Sequence, residues 1–322
     1  MTCNFSKSFF SGMFRRTVLS AGARAVVIFA GLFAGPAMAQ NLTLEGQTGG
    51  FITPTAYVVE ANKGAFFSHP AIGYHYVHAG SVIGDIQTAS ITEGFSNWAE
   101  LGYTRSAHTN GDNPYFSSLW EFSGMNVFHG KAIVLRENSF GTKWVPGVAA
   151  GFVVRTGDHF VSGAIDGKTY TNGDVYIAVT KTALELKLPL LVNIGWKATN
   201  GSIYGIGGQA TRFGGRFFGG IGFPLPGPWH TAIVPAAGFT QEPYHVKNLA
   251  AVVPGGGNIP TTLDYAVRVT QREHPRFSVD AGIGQVAGQI GYTELPTPVG
   301  LAVVPVNLEA RKVFGIGASF KF

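Results

Sequence analysis

The chain has 322 residues, with 23 Lys and Arg against 18 Asp and Glu, a formal net charge of +5. Charged residues make up only 13% of it, well below the roughly 25% of an average soluble domain, and its 45 glycines are about twice the usual share. That balance counts against an ordinary helical soluble protein, because glycine weakens helices. Cys3, the one cysteine, leaves a zinc or iron–sulfur site built on thiolates out of reach.

The first element predicted is a secretory signal peptide over residues 1–39. Lys7, Arg15, Arg16 and Arg24 are its only charged residues, an apolar stretch runs from Ala25 to Ala34, and Gly35-Pro36 precedes the small-x-small triplet Ala37-Met38-Ala39. Cleavage is expected before Gln40. The apolar stretch is too short to span a bilayer as a helix. Phe14-Arg15-Arg16-Thr17-Val18-Leu19 is similar to a twin-arginine signal, but a membrane barrel crosses the periplasm unfolded, so the arginines read as an ordinary charged n-region. Met13 is an equally good start for such a leader. Without its four bases, 19 basic residues stand against 18 acidic ones. The basicity therefore belongs to the leader, and no nucleic-acid partner is implied.

Residues 40–50 are polar and Gly-rich, a short periplasmic lead-in or a plug inside a pore. From residue 51 onward the pattern is strand after strand, with no apolar run of 18 residues to make a membrane helix. If the chain spans a membrane, it does so as a closed barrel, since backbone hydrogen bonds leave no other solution. Strands are expected near 51–59, 68–78, 82–93, 99–104, 115–123, 126–136, 146–155, 175–180, 187–198, 214–223, 229–239, 264–269, 279–284 and 314–322. In several of them the period of two is clean. Val175, Ile177 and Val179 oppose Tyr176, Ala178 and Thr180; Tyr265, Val267 and Val269 oppose Asp264, Ala266 and Arg268. Turn chemistry separates the runs at Asn110-Gly111-Asp112-Asn113-Pro114, Thr156-Gly157-Asp158, Asp166-Gly167, Asn172-Gly173, Asn200-Gly201 and Pro254-Gly255-Gly256-Gly257. With merging across a bulge and an even strand number, the expectation is an all-β, antiparallel transmembrane β-barrel of about 12 strands, with 10 and 14 as alternatives, over residues 51–322. Such a barrel sits in the bacterial outer membrane with lipid as its surroundings. Trp98, Trp120, Trp144, Trp196 and Trp229, near predicted strand ends, suit interfacial girdles.

The C-terminal run carries the clearest alternation. Phe314, Ile316, Ala318, Phe320 and Phe322 share one face, and Gly315, Gly317, Ser319 and Lys321 the other. A strand ending on an aromatic residue is similar to the signal that barrel-assembly machinery reads, which makes Phe320 and Phe322 the candidate assembly signal and that machinery an expected partner.

Four stretches carry a family resemblance. Gly50-Phe51-Ile52-Thr53-Pro54-Thr55-Ala56 resembles the opening motif of YjbH-type outer-membrane proteins. Trp144-Val145-Pro146-Gly147-Val148-Ala149-Ala150-Gly151, Tyr176-Ile177-Ala178-Val179-Thr180-Lys181 and Asn193-Ile194-Gly195-Trp196 follow in that family's order. The resemblance covers roughly residues 45–200 and implies an outer-membrane barrel linked to exopolysaccharide production. This chain is much shorter than YjbH-type proteins, which carry two barrel regions. The resemblance brings no catalytic residues with it.

Candidate chemistry is sparse. His69, His75, His78, His108, His129, His159, His230, His245 and His274 fall in no catalytic motif, and His75 and His78, three apart on a strand, point to opposite faces and cannot share a metal. His108 and His159 lie near Asp112 and Asp158 in turns, an ordinary arrangement. Gly205-Ile206-Gly207-Gly208 and Gly214-Gly215 lack the Gly-Lys-Ser/Thr ending of a phosphate loop. No cofactor, metal or catalytic residue is expected. The better candidates are charges on inward faces: Glu100, Arg216, Asp264, Arg268, Asp280 and Lys321. They set ion preference in a pore, or pair with one another and fill a closed barrel. The leading functional expectation is a passive channel or envelope transport component for a small solute or polysaccharide. A barrel enzyme acting on lipid or envelope polymer and a plugged structural or adhesion barrel are the alternatives.

Overall fold

The computed structural model describes residues 41–117, 124–157, 170–206, 209–243, 259–272 and 276–322. The expected leader, Trp120, His159, His245, His274 and the turns at Asp166-Gly167 and Pro254–Gly257 lie outside them.

Fifteen strands follow one another: β1 (Ala71–His78), β2 (Asp85–Phe95), β3 (Ala99–Thr109), β4 (Gly124–Leu135), β5 (Gly147–Gly157), β6 (Tyr170–Ala183), β7 (Leu190–Gly201), β8 (Gln209–Gly222), β9 (Leu225–Pro226), β10 (Thr231–Thr240), β11 (Thr262–Gln271), β12 (Phe277–Gln285), β13 (Ala287–Thr297), β14 (Gly300–Ala310) and β15 (Val313–Lys321). Twelve of them form one ring. β1 to β8 pair in order, β8 pairs with β10, β10 with β11, β11 with β12, β12 with β15, and β15 returns to β1. Each of these pairings is antiparallel, so the sheet has no open edge and each backbone donor and acceptor of the ring can be met within it. β9 is a short addition to β10, and β13 and β14 form a separate two-stranded hairpin.

Alternation sorts the two faces. On β15, Phe314, Ile316 and Phe320 are exposed while Gly315, Gly317, Ser319 and Lys321 are buried. The exposed face of the other strands is equally apolar, with Ile91, Phe128, Ile177, Ile194, Val267 and Val279 among its members. The buried face instead holds Thr92, Glu100, Thr104, Lys131, Arg155 and Asp280. Apolar outside and polar inside is the reverse of a soluble sandwich and fits a barrel in lipid. The protein is an outer-membrane β-barrel of 12 strands. No helix among the described residues is long and apolar enough to cross a membrane; a short helix, α1 (Gly80–Ile83), buries Val82 and Ile83 between β1 and β2.

The connections at the rim that carries the chain end include 96–98, 136–146 and 184–189, and those at the opposite rim include 241–261 and the β13–β14 hairpin. Short turns face the periplasm and long loops the exterior in barrels of this kind, which orients the molecule with Ala71 and Phe322 on the periplasmic side. Trp98, Trp144 and Trp229 lie exposed in periplasmic connections, Trp98 beneath the Arg136 guanidinium at 4.1 Å. They form half of the expected girdle, whereas Trp196 sits in the middle of β7 on the lipid face.

Three sequence expectations change. The barrel begins at Ala71 rather than at residue 51, because 51–59 is not a strand: it makes only an isolated bridge, Gly49 to Pro54, and lies inside the ring. Its alternation imitates a strand, but Pro54 lacks an N–H, and Ile52, Val58 and Val59 are buried, with no lipid to face. Asn172-Gly173 is not a turn; both residues lie within β6, opposite Arg155 and Val154 of β5. The hairpin of β13 and β14 went unpredicted because Pro296 and Pro305 demote those runs as strands.

Candidate functional site in the plugged lumen

The segment 41–61 fills the barrel. It folds back on itself twice, with Leu42 bridged to Thr48 and Gly49 to Pro54. Gly46 makes the first reversal at φ +89°, where a Cβ would stand 2.4 Å from Thr104 Oγ1 and 3.0 Å from His129 Nε2. Only glycine meets both demands. Residues 41–49 are all buried.

A coil without strand partners would bury unsatisfied backbone groups, and the barrel wall supplies the missing partners. Lys131 Nζ of β4 donates to the carbonyls of Thr48 at 2.8 Å and Thr55 at 3.0 Å, and lies 3.2 Å from Glu100 Oε1 of β3. Glu100 in turn accepts the backbone N–H groups of Thr48 and Val59, each at 3.0 Å, and the Thr48 hydroxyl. Thr92 and Thr104 donate their hydroxyls to the carbonyls of Gly46 and Glu45 at 2.6 and 2.8 Å. Asn193 Nδ2 reaches Pro54 O at 3.0 Å, Thr180 Oγ1 accepts from Ala56 N at 2.8 Å, and Arg268 Nη1 donates to Gly49 O at 2.9 Å. Lys321 Nζ closes the list at the periplasmic end on Glu60 O.

One contact is a salt bridge in its own right. Arg155 of β5 forks onto the Glu45 carboxylate through Nε and Nη2, and Nη2 also donates to Asp174 Oδ2 of β6 at 2.6 Å. Asn172 accepts from Nη1 at 3.1 Å. Two carboxylates thus share one fully buried guanidinium, one from the plug and one from the wall.

Of the six charges expected in the lumen, Glu100, Asp264, Arg268, Asp280 and Lys321 are buried inside, and Arg216 is half-buried near the outer rim, its Nε on Glu242 O at 2.7 Å. They do not converge on one point. Glu100, Lys321 and Arg268 bind the plug, and Arg268 also pairs with Asp280 through two bonds of 2.6 and 3.0 Å. Phe320 and Phe322 face outward, their rings edge-to-face at 5.1 Å. Sequence reasoning passed over Glu45, Lys131, Arg155, Asp174 and Lys197. Arg155 and Asp174 hid behind the false turn at Asn172-Gly173, although each lies in inward phase with its strand. His75 is buried in the lumen and His78 exposed outside it, as their spacing requires.

The wall of β8, β10 and β11 touches the plug at Arg268 of β11 and leaves space beside it elsewhere. Its inward positions include Gly220, Gly222, Ala236, Gly238 and Ala266, and the space left by these small residues is a cavity of about 60 Å³ reaching from Leu191 and Val234 near the periplasmic end up to Asp264. A second cavity of similar size lies above it, toward the exterior, lined by Leu44, Ile83, Ile86, Ile203, Ile206 and Val313. Phe51 and Asp264 border both. The roof of the upper cavity is held by Glu242, which accepts Ile203 N–H at 2.7 Å and the Thr262 hydroxyl at 2.9 Å. Burial pushes the Glu242 carboxyl above the usual carboxylate range, opposed by the nearby Lys197 ammonium.

No protein-family model matches the chain, and no curated protein matches it. Among solved structures it is similar to the KdgM porin, at 12% identity over 78% of this chain and 99% of that one, TM-score 0.44. It is also similar to the COG4313 outer membrane channel from Pseudomonas putida F1, at 12% identity over 82% of this chain and 100% of that one, TM-score 0.41. LpxR from Salmonella typhimurium covers 78% of this chain and 100% of its own at 9% identity, TM-score 0.44. These likenesses assign the chain no activity.

Proposed function

We propose that the protein is a passive outer-membrane channel whose solute route runs beside a resident plug, along the wall of β8, β10 and β11. The observation that carries this reading is the stacking of the two cavities along one side of the plug, with Phe51 and Asp264 between them. The plug is bonded to β2–β7, β11 and β15, whereas the β8–β10 wall facing it is built of glycine and alanine. A lumen meant only to be filled would place larger side chains there, since voids cost contact energy.

The stretches that resemble YjbH-type proteins fall on the plug at Gly50–Ala56 and on β5, β6 and β7, which hold it. Enzymatic activity is not part of the reading. The His78 Nδ1–Asp85 Oδ1 pair, at 2.7 Å, is exposed at the outer rim, where the Tyr76 phenol also bonds Asp85.

Planar-bilayer recordings of the full chain test the proposal. Small discrete current steps are expected, reduced when Ala236→Leu narrows the lower cavity and changed in ion selectivity by Arg268→Gln. Steps indifferent to both substitutions would refute the route.

A further inference from the structure

The two cavities differ in chemistry. The lower one meets Asp264, Arg268, Asp280 and Asn193, whereas the upper one is bounded mainly by aliphatic side chains, chiefly Ile83, Ile86, Ile203 and Ile206, with Phe51 as its floor and Thr262, Tyr204 and Asp264 as its few polar residues. Apolar cavities of this kind stay dry. A dry constriction in series with a polar one holds ion flow to a small leak, because along its aliphatic walls an ion sheds water that nothing replaces. It does not bar an uncharged apolar solute, which gains contacts on entry.

A second observation concerns the junction. Asp264 is buried, and its Oδ1 has no hydrogen-bond partner among the described residues. Gly238 makes the room for it, since a Cβ there would stand 2.3 Å from that oxygen. An unpaired, buried acceptor thus lies where the apolar cavity meets the polar one. At about 60 Å³ the upper cavity is smaller than the roughly 150 Å³ that admits benzene in an engineered protein core. A ring-sized solute therefore enters only as Phe51 swings aside, the same movement that joins the two cavities.

We infer that the upper cavity is an apolar gate, selecting for small uncharged apolar solutes whose hydroxyl Asp264 accepts once Phe51 moves, and holding ions and hydrated sugars to a small leak. This rests on the channel reading and specifies its cargo class.

Two measurements on the full chain test it. In planar bilayers, Ile83→Asn combined with Ile206→Asn hydrates the gate, and ionic conductance is expected to rise several-fold over the wild type. The milder Ile83→Thr and Ile206→Thr serve if the asparagine variants lose heat-modifiable gel mobility. In crystals soaked with 4-bromophenol, anomalous scattering is expected to place bromine among Ile83, Ile203 and Ile206, with the phenol oxygen on Asp264 and Phe51 rotated. A wild type that conducts ions as freely as the polar variants, or bromine absent from the cavity, would overturn the gate. Adding Ala236→Leu to the polar variants separates the two failures. If it lowers the current while the polar changes have raised nothing, the gate is wrong and the route stands; if neither change alters the current, the route is wrong as well.

Discussion

Arg155 of the barrel wall and Glu45 of the plug meet in a two-bonded fork, with the Nη2–Oε2 arm at 2.8 Å, in a part of the lumen from which solvent is excluded. The arginine also holds Asp174, so its removal strands two buried carboxylates at once. Arg155→Met is expected to cost about 3–5 kcal/mol, the usual penalty for breaking a buried pair from one side. The check is the temperature at which the folded barrel loses its heat-modifiable gel mobility, which should fall. Glu45→Gln, which leaves the Arg155–Asp174 pair in place, should lower it less.

Glu100 and Lys131 form a second unit, with both side chains fully shielded and both bonded to plug backbone at Thr48. Groups sharing partners are not independent. Glu100→Gln and Lys131→Met should each destabilise the barrel, and the double variant should be less damaged than the sum, with a coupling of about 0.5–3 kcal/mol. Urea unfolding of all four proteins in one lipid measures it. Strict additivity would mean that the plug does not couple them.

The outer face makes a separate prediction. Ile177 lies at the middle of β6, half exposed and next to Trp196 of β7 in the register. Ile177→Arg is expected to cost about 2–4 kcal/mol, the penalty for a cation at mid-depth. Arg introduced at Ala178, one residue along, would instead meet the lumen. Folding yield into vesicles, compared with Ile177→Ala, distinguishes lipid exposure from lost packing.

Much of the barrel was legible in the sequence because lipid imposes a strict rule. Every second residue of a spanning strand must be apolar, so Phe314 to Phe322 announces its two faces without any structural knowledge. The inward charges Glu100, Asp264, Arg268, Asp280 and Lys321 followed from the same phase. The plug was less legible, since a coil wrapped by a polar wall obeys no period. Phe51 to Val59 alternates by accident and satisfies its backbone with the side chains of Glu100, Thr180 and Asn193 rather than with a neighbouring strand. The pairing of Arg155 with Glu45 spans 110 residues and has no local signature at all.

The central claim is that a route for solutes passes between the plug and the β8–β10 wall, and substituted-cysteine accessibility tests it most directly. The described residues contain no cysteine, so Ala236→Cys places a single thiol in the lower cavity. In planar-bilayer recordings, a small charged methanethiosulfonate reagent added from the periplasmic side is expected to modify Cys at this position and reduce the current stepwise, with no effect on the parent chain. A current left unchanged by the reagent, in a barrel that mass spectrometry shows to be modified, would contradict the account.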